Sequence, residues 1–222
     1  MLFKFDYFVE LIFKVFGYVG VTLRLAFVTL IIAFILALAL AIIRHYEVPV
    51  LNNISKVYVS FFRSTPYISQ LFLFYFGLAQ IFPFVRTMSS SAALIITLAA
   101  NSSAFMCESI RGSFLSVDKG QIEAAQAMGM TNLQMMRRVI LPQAIRVAIP
   151  PLSNNFISLT KSTSIGFTVG VVDMMGKAKL EAAKQLPLHR GLCGRAGRIL
   201  DSHRHSDDVP VQDRSQAQAK LL

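Results

Sequence analysis

The chain has 222 residues, of which 54% are hydrophobic and only 15% are charged. This balance is too apolar for an ordinary soluble domain of that length and predicts a membrane protein. The formal net charge of +10 does not indicate nucleic-acid binding, because the basic residues lie in short segments between apolar runs rather than in one patch. Such a distribution is typical of the Lys- and Arg-rich cytoplasmic loops of membrane proteins.

The amino-terminal segment, residues 1–17, is predicted to form an amphipathic helix in the outer membrane interface. Asp6, Glu10 and Lys14 stand four residues apart among Phe and Leu, so the charges fall on one helical face. The rest of the apolar sequence lies in residues 18–176, which we predict to be an all-α transmembrane domain.

Four apolar runs are each near the roughly 20 residues that a helix needs to cross the hydrocarbon core. A helix buried in a soluble core can also be apolar all round, but four such runs in one small chain favour the membrane. The predicted spans have these approximate bounds: 20–43, 60–82, 88–108 and 145–172. Lys and Arg follow the first and third runs, which predicts an amino terminus outside and a cytoplasmic loop over 109–144.

The predicted cytoplasmic loop contains two helix-start signals with a glycine between them. Asp118 and Thr131 each stand three residues before a glutamine, which offers a capping pair at both positions. Gly129 is suited to end the first helix in a left-handed turn, and Pro142 is expected to end the second. The predicted helices have these approximate bounds: 119–128 and 132–141.

The first of these helices is thin, because three of its residues are Ala124, Ala125 and Ala127. A partner protein could therefore approach its backbone closely and dock there. The same spacing also fits an ordinary amphipathic helix packed on its own membrane domain. Residue spacing alone leaves both interpretations open.

The loop also matches the pattern E-A-A, three residues, G, nine residues, I, one residue, L-P, with valine in the isoleucine position. It resembles the EAA loop of ABC importer permeases. The matching residues are Glu123, Ala124, Ala125, Gly129, Val139, Leu141 and Pro142. Segments 61–78, 101–125 and 141–164 are similar to the polar amino-acid uptake branch of that family, and 48–66 resembles its cystine permeases.

The resemblance implies a type I importer permease fold and a transport subunit that is not itself an enzyme. Such a subunit pairs with a second permease subunit, either a copy of itself or a paralogue. It receives an amino acid from an extracytoplasmic binding protein and is driven by a cytoplasmic ABC ATPase dimer. The helix at the E-A-A sequence would be the coupling helix that docks on the ATPase.

The same resemblance sets expectations for cofactors and location. ATP and magnesium would be bound by the partner ATPase, so no cofactor and no metal are expected on this chain. The expected location is the inner (cytoplasmic) membrane of a prokaryotic cell, where a multi-pass chain contacts lipid. No nucleic-acid partner is expected.

The sequence past residue 176 departs from the family pattern. Family members usually have a fifth core span after the region 178–183, whereas 177–222 is rich in charge and histidine and holds no run long enough to span. We predict that 177–222 is an atypical, disordered tail and that the fifth core transmembrane helix is missing. A change of reading frame near residue 184 is our hypothesis for this departure.

Lys161 is the only charged residue in the last apolar run, residues 147–172. Charge inside a membrane is costly, which favours a position on a watery pathway. The alternative is that its ammonium reaches the outer interface along a flexible stem. The candidate pathway residues are Asn154, Asn155, Ser158, Lys161, Ser162 and Thr163. Pro150 and Pro151, at the start of the same span, are predicted to break or kink the helix.

An ion-gradient-driven secondary transporter of a small polar solute is the alternative function. Such carriers commonly need an ionisable carboxylate or a cation cage within their spans. The four charge-poor runs themselves, residues 25–43, 64–84, 87–107 and 147–172, hold neither Asp nor Glu, although Glu108 follows the third run directly. We expect Glu108 and Arg111 to pair with each other or with a neighbouring loop, and Arg63 to anchor the inner face.

Overall fold

The computed structural model describes residues 5–185, in which the chain forms α-helices joined by short turns. The α-helices have these bounds: α1 Phe5–Phe16, α2 Val19–His45, α3 Leu51–Ser64, α4 Tyr67–Phe72, α5 Ala79–Ile81, α6 Pro83–Arg86, α7 Ser90–Leu115, α8 Lys119–Ala127, α9 Asn132–Met135, α10 Leu141–Ser162 and α11 Met174–Gln185. Two π-helical turns and one 3-10 helix continue some of them: Leu73–Leu78, Met136–Ile140 and Thr163–Val169. This part of the chain contains no strand, as the all-α prediction required.

Helix α2 buries a stripe of small residues along one face. The stripe repeats every three or four residues and consists of Thr22, Ala26, Thr29, Ala33, Ala37 and Ala41. On its other faces α2 exposes large apolar residues such as Phe27, Ile31 and Ile35. Small side chains allow two helices to approach closely inside a membrane, and large apolar ones suit contact with lipid. The stripe packs on α7, with Ala99 and Ala104 in the same buried cluster.

Helix α7 is the centre of the bundle and contacts α2, α3, α4 and α10. Its buried residues include a set of polar side chains: Thr97, Asn101, Ser102, Ser103 and Ser113. Buried polar groups are stable only when they find hydrogen-bond partners. Ser103 is one that finds a partner on another helix, because the Tyr58 hydroxyl on α3 lies 2.9 Å from Ser103 Oγ and donates to the Ala100 carbonyl at 2.8 Å.

The predicted second span, 60–82, is interrupted where α3 ends before Pro66. Proline has no N–H, so the Phe62 carbonyl four residues earlier lacks its helical donor. Two side-chain amides replace that donor: Asn101 Nδ2 donates to the Phe62 oxygen at 2.8 Å and Gln70 Nε2 at 3.1 Å. The chain therefore divides into a separate helix before the proline and a new helix, α4, after it.

Among the described residues, two helices are long and apolar enough to cross a membrane, and they are Tyr7–His45 and Ser90–Leu115. A shorter apolar helix runs over Tyr67–Ile81. These segments overlap the first three predicted spans. The fourth predicted span, 145–172, corresponds to most of α10 and the 3-10 helix that follows it. The residue directly after the 3-10 helix, Gly170, has a left-handed backbone conformation with φ of 89°.

The proline pair Pro150–Pro151 does not break α10, which continues to Ser162. The prediction of a break is therefore wrong, whereas a kink of the continuous helix stays a prediction. Membrane helices tolerate internal proline when neighbouring helices, side chains or local changes of helical pitch satisfy the freed carbonyls.

Contacts divide the chain into two units, one up to Ala178 and one from Lys179 onward. In the second unit only residues 179–185, the end of α11, are described, and there Lys184 Nζ donates to Glu181 Oε1 at 2.8 Å. The beginning of the predicted disordered tail, 177–222, is thus helical. The remainder of that tail, with the question of a fifth span, lies outside the described residues.

Candidate functional site

Helices α8 and α9, in the loop between α7 and α10, begin at the two predicted caps. The Asp118 carboxylate accepts the Gln121 amide at 3.3 Å. Thr131 and Gln134 form a full capping box, with bonds of 3.3 and 3.0 Å in the two directions. Gly129, between the helices, has a φ of 76°, a left-handed conformation that glycine adopts without strain.

The second loop helix does not end at Pro142, so this prediction is wrong. Helix α9 passes through the π-helical turn Met136–Ile140 directly into α10. Pro142 then occupies the first turn of α10, a position where proline is well tolerated. The wider π turn just before it is one of the local adjustments by which a helix accommodates proline.

One face of α8 packs against the rest of the loop. Ala125 is 4% exposed and belongs to a small apolar cluster with Val117, Met135 and Ile140. Ile122, one turn earlier on the same face, is half-buried against this cluster. Ala125 is therefore a packing residue, although the resemblance assigns it to the coupling motif.

The other face of α8 is open to solvent. Glu123, Ala124 and Gly129 are exposed, and so are two large apolar residues of the same loop. These are Met128 and Leu133, with 78% and 76% of their surfaces exposed. We call this set, Glu123, Ala124, Met128, Gly129 and Leu133, the outer face of the loop. Leu133 was not singled out in the sequence, where it is one apolar residue among many.

The three remaining motif residues lie where the loop joins α10. Val139 is half-buried, Leu141 is 38% exposed and Pro142 is exposed. Gln143 links this junction to α8, because its Nε2 donates to the Val139 carbonyl at 3.0 Å and to Gln121 Oε1 at 2.5 Å. The loop helices are thus attached to α10 by side-chain bonds as well as by the chain.

The six candidate pathway residues fall into two groups. Asn154, Ser158 and Lys161 are exposed, and their spacing of four and three residues places them on one face of α10. Such a polar face on an otherwise apolar helix suits a watery path or a partner helix rather than lipid. These three remain candidates for the pathway.

The other three candidates bond within the protein. Asn155 Nδ2 donates to Ser109 Oγ on α7 at 3.3 Å. Ser162 Oγ donates to the Ser158 carbonyl at 2.9 Å. Thr163 is fully buried and its hydroxyl lies 2.9 Å from the Thr160 carbonyl and 3.0 Å from Asp173 Oδ2. The polar atoms of these three residues have hydrogen-bond partners within the protein. A structural role is therefore enough to explain each of the three.

Asp173 is a buried carboxylate that the sequence interpretation missed. It is 1% exposed, and its Oδ1 accepts the Gly176 amide at 2.9 Å while Oδ2 accepts the Thr163 hydroxyl. The next residue, Met174, donates its amide to Thr22 Oγ1 on α2 at 3.1 Å. Asp173 therefore caps the start of α11, and an aspartate directly before a helical segment is the signal that could have found it.

A cluster of arginines surrounds Glu108 near the end of α7. The predicted pair is confirmed, since Arg111 NH2 lies 3.0 Å from Glu108 Oε2. Arg44 from the end of α2 also bonds to Glu108, and Arg63 from the end of α3 lies 4.0 Å away. Arg63 in addition lies over the Phe105 ring, 5.6 Å from its centroid. We call Arg44, Arg63, Glu108 and Arg111 the Glu108 cluster.

Residues 5–185 contain no group of three or more His, Cys, Asp and Glu side chains that could hold a metal ion. The described residues form a helical bundle in which α8 and α9 lie in the loop between α7 and α10. Comparison with known proteins identifies its class: residues 30–186 match the family described as binding-protein-dependent transport system inner membrane component. The chain belongs to this family, and its members are transport components located in a membrane.

Several relatives carry amino-acid transport names. The chain is 48% identical over 183 residues to "Probable amino-acid ABC transporter permease protein PatM" of Vibrio harveyi, covering 82% of each chain. It is 42% identical over 171 residues to the L-cystine transport system permease protein TcyB of Bacillus subtilis, covering 77% of this chain and 71% of that one. The polar amino-acid uptake resemblance seen in the sequence is thereby confirmed.

Solved structures agree with the fold. A chain of an amino acid ABC transporter solved with histidines superposes with a TM-score of 0.73 at 29% identity, covering 90% of this chain and 98% of that one. A chain of the inward-facing MetNI methionine ABC transporter has a TM-score of 0.61 at 22% identity, covering 86% and 97%. The type I importer permease fold inferred from the EAA resemblance is therefore correct.

Proposed function

We propose that this chain is the permease subunit of an ATP-driven, binding-protein-dependent importer of polar amino acids. A separate cytoplasmic ATPase dimer would bind the outer face of the loop and so move the permease. Two permease subunits, identical or paralogous, would form the pathway, and an extracytoplasmic protein would deliver the amino acid. In this scheme ATP and magnesium are bound by the ATPase, and the chain crosses a prokaryotic inner membrane several times.

The observation that carries the proposal is the division of α8 into a packed face and an open face. Ala125 fixes the helix to its own loop core, so the helix is held in one orientation. That orientation leaves Glu123, Ala124 and the large apolar residues Met128 and Leu133 free for a partner. Large apolar residues exposed together on a cytoplasmic loop are the typical anchor of a helix-in-groove contact.

Among polar amino acids we propose cystine as the first substrate to test. Two relatives are named L-cystine permeases, TcyL at 40% identity and TcyB at 42%. The segment 48–66 shows the same resemblance in the sequence. Asn154, Ser158 and Lys161 would line the pathway, where an ammonium beside hydroxyl and amide groups suits a polar, carboxylate-bearing solute.

Transport by the reconstituted complex tests this function. The chain would be purified with its ATPase and binding protein, placed in liposomes, and supplied with a labelled mixture of polar amino acids that includes cystine. We expect uptake that requires both ATP and the binding protein. Uptake that persists without ATP, or no uptake under any condition, would contradict the proposal.

The alternative, a carrier driven by an ion gradient, gains one observation from the structure. Asp173 is a buried carboxylate of the kind that such carriers use, although both of its oxygens already accept bonds from the protein. In the same liposomes, a proton or sodium gradient without ATP distinguishes the two functions. The carrier predicts uptake that an Asp173→Asn change abolishes, whereas the ATP-driven importer predicts no uptake from the gradient.

A further inference from the structure

Glu108 joins three helices at the point where α7 leads into the cytoplasmic loop. Its Oε1 accepts a bond from Arg44 at the end of α2, and Arg63 at the end of α3 lies 4.0 Å from the same oxygen. Its Oε2 accepts two bonds from Arg111, of 3.0 and 3.2 Å. A single carboxylate is thus shared by three guanidinium groups.

The two arginines at Oε1 are held differently. The side chains of Arg44 and Glu108 are 14% and 19% exposed, so this ion pair is largely shielded from water. Arg63 is 46% exposed, and at 4.0 Å it is too distant for a hydrogen bond. Its guanidinium rests over the Phe105 ring of α7, which keeps it beside the carboxylate.

This arrangement offers two alternative partners to one oxygen. A movement of about one ångström would bring Arg63 into hydrogen-bond distance of Oε1, and a larger movement of α7 away from the end of α2 would release Arg44. The exchange would transfer the attachment of α7 from α2 to α3. An element with two discrete arrangements is what a coupling route between distant sites requires.

We propose that Glu108 is a positioning residue that exchanges Arg44 for Arg63 when the ATPase moves the loop. The inference rests on the proposed function and adds the route by which motion of α8 reaches the membrane helices. Residues 116–118 are the whole connection between α7 and α8, so a displacement of α8 reaches the end of α7 first. Glu108 lies two turns from that end and passes the displacement to α2 and α3.

The decisive variant is Arg63→Gln. If the cluster only stabilises the fold, this change should be nearly neutral, because Arg63 is half exposed and makes no hydrogen bond to Glu108 in this structure. If Glu108 exchanges partners, the same change removes one of the two arrangements. Lys56→Gln is the matched control, because it removes one positive charge from an exposed position on the same helix.

The measurement is the number of amino-acid molecules imported per ATP hydrolysed, taken on the full complex in liposomes with the labelled mixture. We expect Arg63→Gln and Arg44→Gln each to lower this ratio about tenfold, a size typical of coupling through networks of side chains. Arg63→Lys keeps the charge and should recover most of the ratio, and Lys56→Gln should match the wild type. The thermal midpoint of Arg63→Gln should stay at the wild-type value.

A wild-type ratio in Arg63→Gln would overturn the inference, as would a loss that Lys56→Gln shares. If Arg44→Gln fails to fold, Arg63→Gln and its control still decide the question. Failure of the proposed function has a different signature, because the wild-type complex itself would then show no ATP-dependent uptake. Wild-type uptake with an unaltered Arg63→Gln ratio rejects the exchange alone.

Discussion

Asn101 and Gly129 are residues whose identity the backbone around them dictates. Asn101 is 1% exposed and supplies an amide to the Phe62 carbonyl that Pro66 leaves without a donor. Its second contact, to Gln70 Oε1 at 2.9 Å, extends the network. Neither partnership is visible in the sequence, because Asn101 and Phe62 are 39 residues apart and only the folded bundle brings them together.

Replacing Asn101 with Leu should destabilise the chain. The Phe62 carbonyl would lose its shortest bond and Gln70 Oε1 would lose a donor, in a region shielded from water. The Phe62 carbonyl keeps its bond from Gln70 Nε2, but leaving the Gln70 Oε1 acceptor unsatisfied costs about 1–3 kcal/mol. Thermal unfolding in detergent should show a lower midpoint for Asn101→Leu, while Gln80→Leu at an exposed position should leave it unchanged. Equal midpoints for the two variants would contradict this account of the network.

Glycine is required at position 129 because of its backbone conformation and not because a side chain would lack space. No atom lies within 4 Å of where a Cβ would stand, but its φ of 76° is unfavourable for residues with side chains. A β-branched residue there costs about 1–2 kcal/mol or more, whereas Asn tolerates this region. We expect Gly129→Val to reduce the ATPase activity that the binding protein stimulates, and Gly129→Asn to retain most of it. The reverse order would show that conformation is not what matters at this turn.

At the scale of elements, the loop between α7 and α10 shows both a correct and a wrong prediction: the helix starts were correct and the helix end at Pro142 was wrong. Caps are local signals, so Asp118 and Thr131 predicted the starts of α8 and α9 correctly. Proline is ambiguous, because it both ends helices and favours their first turn. Pro142 lies in the first turn of α10, and residue patterns could not decide between this position and a helix end. Helix α10 consequently begins earlier than the predicted span.

The adjacent alanines of α8 provide a matched pair for testing its two faces. Ala124→Leu adds volume to the exposed face and should leave the fold intact while weakening attachment to the ATPase. Ala125→Leu adds the same volume in the loop core, where overpacking costs about 1–3 kcal/mol. We expect co-purification of the ATPase to fall for Ala124→Leu at an unchanged unfolding midpoint. Ala125→Leu should instead lower the midpoint.

Co-purification and thermal unfolding are measured on the same preparations, so the two effects can be separated. If Ala124→Leu lowered the midpoint as much as Ala125→Leu, the assignment of an open and a packed face would be wrong. If Ala124→Leu kept full ATPase attachment at an unchanged midpoint, docking would have to involve another surface.

At the scale of the whole molecule, hydrophobic runs predicted the long helices α2 and α7 well, because neither helix has a charge in its middle. The second run, residues 64–84, contains no charge either, yet α3 ends at its first residue and a separate helix, α4, begins after Pro66. Charge-free length was therefore a poor guide to continuity. Burial could not be predicted: on α10 the candidates Asn154 and Asn155 are neighbours, but one is exposed and the other bonds to α7.

The Glu108 cluster shows a second feature that could not be predicted from the sequence, namely ion partners on different helices. Glu108 and Arg111 were predicted to pair because they lie three residues apart on one helix. Arg44 and Arg63 reach the same carboxylate from other helices, at separations of 64 and 45 residues. Such long-range partners depend on how α2 and α3 pack on α7, which local patterns do not specify.

The most direct test of the central claim is crosslinking from the outer face of the loop. Ala124→Cys, in a chain whose native cysteines Cys107 and Cys193 are replaced by serine, would be crosslinked in membranes that contain the whole complex. We predict a product with the nucleotide-hydrolysing subunit from Ala124→Cys and none from the buried control Ala125→Cys. Absence of that product, or labelling of position 124 from the outer side of the membrane, would contradict the account.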